Sequence, residues 1–379
     1  MNLNIVIIGL SVTSSWGNGH ATTYRALIEA LASRGHHVTF LEREVPWYRG
    51  HRDLTKPSNW TVKLYQSLQD IPRRYTSLIR DANLVILGSY VPDGIAIAEW
   101  VTAHAQGVTA FYDIDTPVTL AGLDQGLEYL SAAMIPRFDL YLSFSGGPVP
   151  GMIEDAYGSP MARVLYCSAD PDLNRPHPVK QHWSLGSLGT YSDDRQPSLE
   201  RLLLAPAMML ADHQFVVAGS RYPEHLVWPD NVSRIEHLSQ HEHPPFYSRQ
   251  RFTLNLTRAD MRALGFSPSV RLFEAAACGT PVISDRWPGI ETIFEPGTEI
   301  LLVSDAREVS QILRDIPEER RLAIADKARR RILADHTPDH RARQLEAYYL
   351  EAAGRRRRNL LQPAAGRTMQ AAEVRAEAT

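Results

Sequence analysis

The chain of 379 residues contains only two cysteines, Cys167 and Cys278, which lie far apart. Two distant cysteines supply neither a disulfide framework nor the ligand spacing of a zinc site, so we predict a cytoplasmic protein of the reducing cytosol. The sequence also has no apolar run near the ~20 residues that a membrane helix needs, which predicts no integral membrane segment. The first residues, MNLNIVIIGLSV, lack the basic region and cleavage site of a signal peptide, and we predict a strand there.

An excess of charge of one sign is missing as well. Lys and Arg total 40, Asp and Glu total 43, and the formal net charge is −3. This balance does not favour nucleic acid or an anionic membrane as a partner. Hydrophobic residues make up 44% and charged residues 22%, as in an ordinary globular protein, and the length favours two domains.

Short apolar segments alternate with helical patterns through the first half of the chain. Between the first two segments, Tyr24, Leu27, Ile28 and Leu31 follow helical spacing, which predicts a helix over 20–34. Continuous apolar strands that alternate with helices indicate a parallel sheet covered on both faces. The predicted strands of this half are 4–10, 37–42, 84–90, 108–113, 138–145 and 162–167.

The alternation stops in the polar, proline-rich segment 168–182, which we interpret as an interdomain linker. It then restarts, with a helix predicted over 196–209 and strands over 183–189, 213–220, 251–257 and 281–284. The sequence therefore predicts two doubly wound α/β domains of Rossmann-like type, 1–167 and 183–335. We predict a closing helix over 336–352, and a disordered tail over 355–379 because that segment has little apolar pattern.

Ligands of doubly wound sheets bind beyond the carboxyl ends of the strands, so we examined the loops that follow them. The first loop, SVTSSWGNGHATTYR, contains Gly17, Asn18 and Gly19, and its glycines let the backbone approach a ligand closely. His20 stands at the start of the next helix. It is a candidate general base or acid for a hydroxyl group, and the alternative is a polar helix cap.

The second loop, FYDIDTP, carries Asp113 and Asp115 in a D-x-D pattern. Two carboxylates at this spacing suit a divalent metal that holds a diphosphate. Contact with substrate hydroxyls and a catalytic carboxylate are alternatives, and so is a helix cap before Pro117.

The third loop, LGTYSDDRQP, opens the second domain with Thr190 and Arg195. An arginine at a helix start can bind a diphosphate through its planar guanidinium group. The alternative is a surface ion pair with Asp193 or Asp194.

The fourth stretch, SPSVRLFEAAACGTPVIS, predicts a helix whose start is capped by Ser267 and Ser269, with Pro268 in the first turn. The free backbone N–H groups of such a start, near Val270, form an anion site.

Glu274 lies two turns into this apolar helix, and a buried carboxylate needs partners. The two hydroxyl groups of a ribose are one solution, with the phosphates at the helix start. An internal ion pair with Arg271 or Arg258 is the alternative.

The segments SPSVRLFEAAACGTPVISD and WPGIETIFEPGTEILLV together resemble the nucleotide-sugar domain of GT-B glycosyltransferases. The nearest likeness is to the CgeB-like (spore-maturation) bacterial enzymes, in the group sometimes called glycosyltransferase group 1. It covers most of residues 1–350 and is strongest over 251–305. The resemblance implies two Rossmann-like domains that face each other across a cleft, and a C-terminal helix that returns to the first domain.

The resemblance also assigns roles. Glu274 matches the ribose-binding glutamate that ends an E-x7-E signature, but Phe266 stands where the first glutamate, a donor-sugar contact, is expected. Some inverting members have a histidine base near the position of His20, and the resemblance there is limited to the glycine-containing loop. GT-B enzymes generally need no metal and no cofactor, which favours acceptor or sugar contact for Asp113 and Asp115.

These observations predict a metal-independent transfer of a sugar from a nucleotide-diphosphate donor to an acceptor hydroxyl. Arg195 or Arg271 would hold the diphosphate, with Thr190 and Arg258 nearby. A sugar-nucleotide epimerase and a non-catalytic, glycosyltransferase-like surface or spore-coat component are the alternatives. A dehydrogenase is disfavoured because no G-x-G-x-x-G follows the first strand, although LERE (41–44) places an acid after the second. The sugar, the base, the acceptor and the oligomeric state stay open.

Overall fold

The computed structural model describes residues 1–54, 57 and 59–361, which form two α/β domains. The first domain is built on a sheet of seven parallel strands in the order β3-β2-β1-β4-β5-β6-β7. Its strands are β1 Asn4–Gly9, β2 His37–Arg43, β3 Thr61–Tyr65, β4 Leu84–Gly88, β5 Val108–Asp113, β6 Leu140–Ser143 and β7 Ala162–Val164. Its helices are α1 Gly19–Ser33, α2 Pro46–Arg49, α3 Asp70–Arg74, α4 Thr76–Asp81, α5 Gly94–His104, α6 Thr116–Gly122 and α7 Val149–Tyr157, with 3-10 turns at Leu123–Gln125 and Ala132–Arg137.

The second domain repeats the plan with six parallel strands in the order β10-β9-β8-β11-β12-β13. Its strands are β8 Trp183–Leu188, β9 Phe215–Ala218, β10 Val232–Ile235, β11 Gln250–Asn255, β12 Val282–Asp285 and β13 Ile300–Val303. The helices that follow are α8 Gln196–Leu199, α9 Ala205–Met209, α10 His243–Ser248, α11 Ala259–Leu264, α12 Val270–Ala277, α13 Ala306–Asp315, α14 Glu318–Asp335 and α15 Pro338–Leu361. A π-helical turn, Glu200–Leu204, joins α8 to α9, and 3-10 turns lie at Gln240–Glu242 and Ile290–Thr292.

Each sheet reverses its strand order once. The reversal falls between β1 and β4 in the first domain, where Ile7 pairs with Ile86. It falls between β8 and β11 in the second, where Gly186 pairs with Thr253. These strands are buried and apolar because helices cover both faces of the sheets, and the predicted fold class of two doubly wound domains is confirmed.

Three strands, β3, β10 and β13, were missing from the prediction. The sequence TVKLY of β3 is mostly exposed or half-buried along an edge of the sheet. The sequence VSRI of β10 has one buried residue and also forms an edge. The four residues of β13 are apolar but too few to distinguish from a helix segment.

The chain crosses between the domains twice. Residues 168–182 form no helix or strand, and the N–H of Ala169 donates to the carbonyl of His336 at 3.1 Å, which brings the two crossings together. Helix α15 then packs on the first domain and buries Ala342, Leu345 and Ala352 in that domain's core.

Polar contacts fix the same helix on the first domain. The Arg34 guanidinium donates to both carboxylate oxygens of Glu346, at 2.8 and 2.7 Å. Arg356 forms an ion pair with Asp139 at 2.9 Å.

The last helix ends later than we predicted. It continues to Leu361, so residues 355–361 of the predicted tail are helical, and 362–379 lie outside the described residues. None of the helices in the described part of the chain combines the length and hydrophobicity needed to span a lipid bilayer.

Candidate active site

The loops that follow the strands of both sheets surround a cleft of about 620 Å³ between the domains. Most of the residues predicted for the site line this cleft, whereas Asp113 and Ser267 do not. The predicted residues that line it are Gly17, Asn18, Gly19, His20, Asp115, Thr190, Arg195, Arg258, Ser269, Val270, Arg271 and Glu274. The cleft also places groups from the two domains opposite each other.

Two arginines lie together on the wall formed by the second domain. Arg195 donates to the carbonyl of Thr190 at 2.6 Å and to the Ser192 hydroxyl at 2.9 Å. Arg271 donates to the carbonyl of Leu188 at 2.8 Å. Burial, and then the charge of Arg271, lower the pKa of Arg195 to about 10.

Neutral oxygens hold these guanidinium groups in place without neutralising them. Within the described part of the chain, neither Arg195 nor Arg271 forms an ion pair with a carboxylate. The predicted alternative partners are engaged elsewhere, because Asp193 accepts from Tyr191 and Asp194 accepts from the N–H of Ala259. The pair therefore forms a cationic site that can accept an anionic group.

The start of helix α12 lies at the same wall. Ser269 is the residue before the helix, but its hydroxyl donates to Asn255 Oδ1 at 2.7 Å and does not cap the helix. Pro268 therefore precedes the helix, and the predicted serine cap was wrong. The N–H of Leu272 donates to the carbonyl of Ser269 at 3.1 Å, so the backbone N–H groups of Val270 and Arg271 are the ones left for an anion.

Ser267 has a different place from the predicted one. Its hydroxyl is fully buried, donates to the carbonyl of Gly265 at 2.7 Å, and lies 2.6 Å from the hydroxyl of Ser145 in the first domain. It therefore contributes to the contact between the domains and does not reach the cleft.

Phe266 belongs to the same interdomain contact. Its ring lies against Gly147 and Gly289, so closely that a Cβ atom on either glycine would overlap with it. Its carbonyl accepts from the N–H of Gly146 at 2.9 Å. The position that departs from the E-x7-E signature thus joins the two domains.

Glu274 is buried, with 2% of its side chain exposed, and it lines the cleft. Its Oε2 atom lies 3.3 Å from Nδ1 of His243 and accepts from the Tyr247 hydroxyl at 3.5 Å. In the described residues it forms no ion pair with Arg271 or Arg258, which was the predicted alternative.

His20 and Tyr90 face each other on the wall formed by the first domain, with ring centroids 5.4 Å apart. The backbone N–H of His20 donates to Asn18 Oδ1 at 3.0 Å, so Asn18 caps helix α1 and His20 does not. Its Nδ1 atom has no hydrogen-bond partner among the described residues. Burial lowers the pKa of His20 although Asp115 opposes the shift, so the imidazole is neutral near pH 7 and able to accept a proton.

The two aspartates of the D-x-D pattern have different environments. Asp115 lines the cleft, accepts from the Tyr90 hydroxyl at 3.0 Å, and lies 3.5 Å from Arg258 of the other domain. Asp113 is fully buried beneath it and accepts from Tyr141 at 2.6 Å and from Thr119 at 2.7 Å. Burial raises the pKa of Asp113 to about 6, and these bonds assign it to the scaffold, contrary to the predicted catalytic role.

Glu42, at the end of β2, fixes the glycine-containing loop from below. Its carboxylate is fully buried and accepts from the N–H groups of Val12 and Thr13 at 2.7 and 2.9 Å. It also accepts from the hydroxyls of Ser11 and Thr13 at 3.0 and 2.6 Å. The acid after the second strand is thus used inside the domain, which removes the feature that had left a dehydrogenase open.

Sequence reasoning missed several residues that line the cleft, namely Tyr90, Gly219 and His243. Gly219 follows β9 at φ +147°, and a Cβ atom there would lie 2.0 Å from the carbonyl oxygen of Gly189. A glycine directly after a predicted strand was the available signal. Tyr90 and His243 lacked such a signal, because their partners Asp115 and Glu274 are distant in sequence.

Comparisons with known proteins agree with this architecture. A family described as "Glycosyl transferase-like" matches residues 195–347, and a sequence comparison with curated proteins finds no match. Sucrose-phosphate synthase from Thermosynechococcus elongatus is 16% identical, with a TM-score of 0.66 over 92% of this chain and 98% of that one.

Two further solved structures are similar. Anabaena Alr3699/HepE in complex with UDP-glucose is 13% identical, with a TM-score of 0.65 over 93% of this chain and 100% of that one. An alpha-glucosyltransferase in complex with UDP is 11% identical, with a TM-score of 0.68 over 92% and 100%. The chain therefore has the GT-B fold, and its second domain carries a glycosyltransferase-like segment.

Proposed function

We propose that the protein is a glycosyltransferase of the EC 2.4 class that moves a sugar from a nucleotide-diphosphate donor to an acceptor hydroxyl. The observation that carries the proposal is the arrangement of Arg195, Arg271 and the start of α12 beside a buried carboxylate, Glu274. Cationic groups and free N–H groups suit a diphosphate, and a carboxylate suits the two hydroxyls of a ribose. The relatives in complex with UDP and UDP-glucose share the fold and support a uridine nucleotide as the first probe.

The leaving diphosphate gains negative charge as the bond to the sugar breaks. Arg195 and Arg271 are already fixed by carbonyl oxygens, so they stabilise this charge with little rearrangement. This arrangement supports metal-independent transfer, since arginines occupy the place where a divalent cation would otherwise act.

His20 is the proposed base. Its neutral imidazole lies on the opposite wall of the cleft, where it can take the proton of the acceptor hydroxyl as the new bond forms. Asp115 and Tyr90 lie beside it and are the proposed acceptor contacts, together with the loop of Gly17 to Gly19.

The CgeB-like type rests on the sequence resemblance described above. A cytoplasmic location rests on the two cysteines, which are both free and buried.

Titration calorimetry with UDP, GDP, dTDP and ADP tests the binding half of the proposal. We expect at least one of them to bind with a Kd of about 1–100 μM. Glu274→Gln keeps the volume of the side chain and should weaken that binding by more than about tenfold, because each hydrogen bond to the carboxylate contributes ~1.5–3 kcal/mol. Folded protein that binds none of the four nucleotides would refute the proposal.

A donor-turnover assay tests the chemical half. His20→Ala should retain nucleotide affinity and lose about 10²–10⁴-fold in turnover. Unchanged turnover would remove the base assignment, and product formation without an acceptor would indicate an epimerase.

A further inference from the structure

His243, at the start of α10, is the closest polar side chain to the buried carboxylate of Glu274. Its Nδ1 atom lies 3.3 Å from Oε2 of Glu274, and 17% of the His243 side chain is exposed, on the surface of the cleft. Tyr247 lies one turn further along α10 and donates to the same oxygen at 3.5 Å. Residues four apart share a face of a helix, so α10 presents both donors to one atom of Glu274.

The other oxygen of Glu274 has no partner in the part of the chain that the structure describes. No side chain of the described residues forms a hydrogen bond with Oε1. The equally buried Glu42 provides an internal comparison, because both of its oxygens accept bonds and the four distances are 2.6 to 3.0 Å. The carboxylate of Glu42 thus has protein partners on both oxygens, whereas Glu274 is held from one side only.

We propose that His243 is a positioning residue for nucleotide binding, which holds one oxygen of Glu274 so that the other is directed at the ribose hydroxyls. This inference rests on the proposed function, since it takes the ligand of Glu274 to be the ribose of a nucleotide. The inference adds His243, a residue of α10, to a nucleotide site that otherwise consists of residues on or near α12. Neither the E-x7-E signature nor the start of α12 indicates His243.

The charges around His243 give the inference a pH dependence. Glu274 faces the imidazole from α12, Glu242 precedes it in the chain, and Tyr247 follows on α10. Arg271 lies on α12 near Tyr247. Burial disfavours the charged imidazole and is the largest single effect, but the carboxylate of Glu274, a backbone hydrogen bond to Leu238 and the charge of Glu242 together outweigh it and raise the pKa of His243 above its ordinary value.

The sign of the effect follows from this charge. Below its pKa, His243 is cationic and adds positive charge beside an anionic ligand. As the pH rises through the raised pKa, that charge is lost and nucleotide affinity falls. An asparagine places an uncharged N–H donor near the position of Nδ1, so His243→Asn should retain the orientation of Glu274 without this pH dependence.

Calorimetry with UDP from pH 5.5 to 8.5 tests the inference on the wild type, His243→Asn and His243→Ala. UDP titrates in this range too, but its own titration is common to all three proteins and cancels in their ratios. We expect His243→Ala to weaken UDP binding about tenfold at pH 6, and His243→Asn to restore it to within about threefold. The affinity ratio of wild type to His243→Asn should fall as the pH rises.

Two results separate this inference from the proposed function. If the wild type binds UDP and both variants bind it equally well at every pH, His243 has no positioning role, while the proposed function stands. If the wild type binds none of the four nucleotides, both are overturned.

A measurement without any ligand tests the contact itself. The imidazole titration of His243, followed by NMR on histidine-labelled protein and assigned by its loss in His243→Asn, should move to lower pH in Glu274→Gln. An unchanged titration would overturn the inference, because it would show that Glu274 does not act on His243.

Discussion

Replacing Arg195 by methionine separates a ligand-binding arginine from a structural one. The substitution removes two hydrogen bonds, to the Thr190 carbonyl and the Ser192 hydroxyl, each of which contributes about 1 kcal/mol to stability. It also removes the repulsion between the neighbouring charges of Arg195 and Arg271, which is on the order of a few kcal/mol in an effective dielectric of ~20. These effects oppose each other, so the free energy of unfolding should change by no more than about 1–2 kcal/mol.

Nucleotide affinity should respond much more strongly. A charge-assisted hydrogen bond to a phosphate contributes ~1.5–3 kcal/mol, so the Kd for UDP should rise about 10- to 150-fold. Calorimetry gives the Kd, and urea unfolding gives the stability of the same preparations.

Arg321 is the matched control, because it is also buried, donates to Glu318 and to the Arg251 carbonyl, and does not line the cleft. Arg321→Met should lower stability by about 1–3 kcal/mol and leave the UDP affinity unchanged. The reasoning is refuted if Arg195→Met behaves like this control, with lower stability and an unaltered Kd.

Three other changes test the scaffold around the cleft. Glu42→Gln should keep most of the turnover, because the glutamine amide can accept from the N–H of Val12 and donate to the Ser11 hydroxyl. Glu42→Ala should lower kcat about 10–100-fold and leave the donor KM unchanged, since it releases the loop that carries His20. Equal kcat in wild type and Glu42→Ala would contradict this role. Burial raises the pKa of Asp113 from 3.8 to about 6, so its contribution to stability is present below pH 3.8 and is lost as the pH rises through 6. The free energies of unfolding of wild type and Asp113→Asn, measured in urea, should therefore diverge by up to about 3 kcal/mol over that window. Parallel pH profiles of the two proteins would exclude the shift. The hydrogen bond from Arg34 lowers the pKa of Glu346 from 4.5 to about 2, so the stabilisation is present above pH 4.5 and is lost as the pH falls towards 2. Glu346→Gln should lower the free energy of unfolding by about 1–3 kcal/mol at pH 7. A loss that stays constant down to pH 3 would argue against the ion pair.

The fold was predictable because its central strands are apolar along their whole length. Strands such as β4 and β5 are buried on both faces, and their alternation with helices specifies a parallel sheet. The edge strands β3 and β10 were not predicted. An edge strand is partly exposed to solvent, so its sequence is less apolar than that of a central strand.

Residues of the candidate site could be predicted only where a short segment of sequence itself indicates both the local structure and the important side chain. Arg195 and Glu274 could be singled out because each stands in a short segment with its own local pattern. The sequence did not distinguish Asp113 from Asp115. Asp113 is buried against Tyr141, which lies 28 residues further along the chain on another strand, and no local pattern indicates that contact. His243 and Glu42 act on partners 31 and 29 to 31 residues distant, and no local pattern reports such pairs.

The return of α15 has a consequence for how the protein is made. A ribosome releases the whole first sheet early, but the core of that domain still lacks Ala342, Leu345 and Ala352. The groove they fill stays open while the second domain is translated, so the half with the proposed base is completed last. A chain that terminates before α15 would therefore expose this groove to chaperones and proteases.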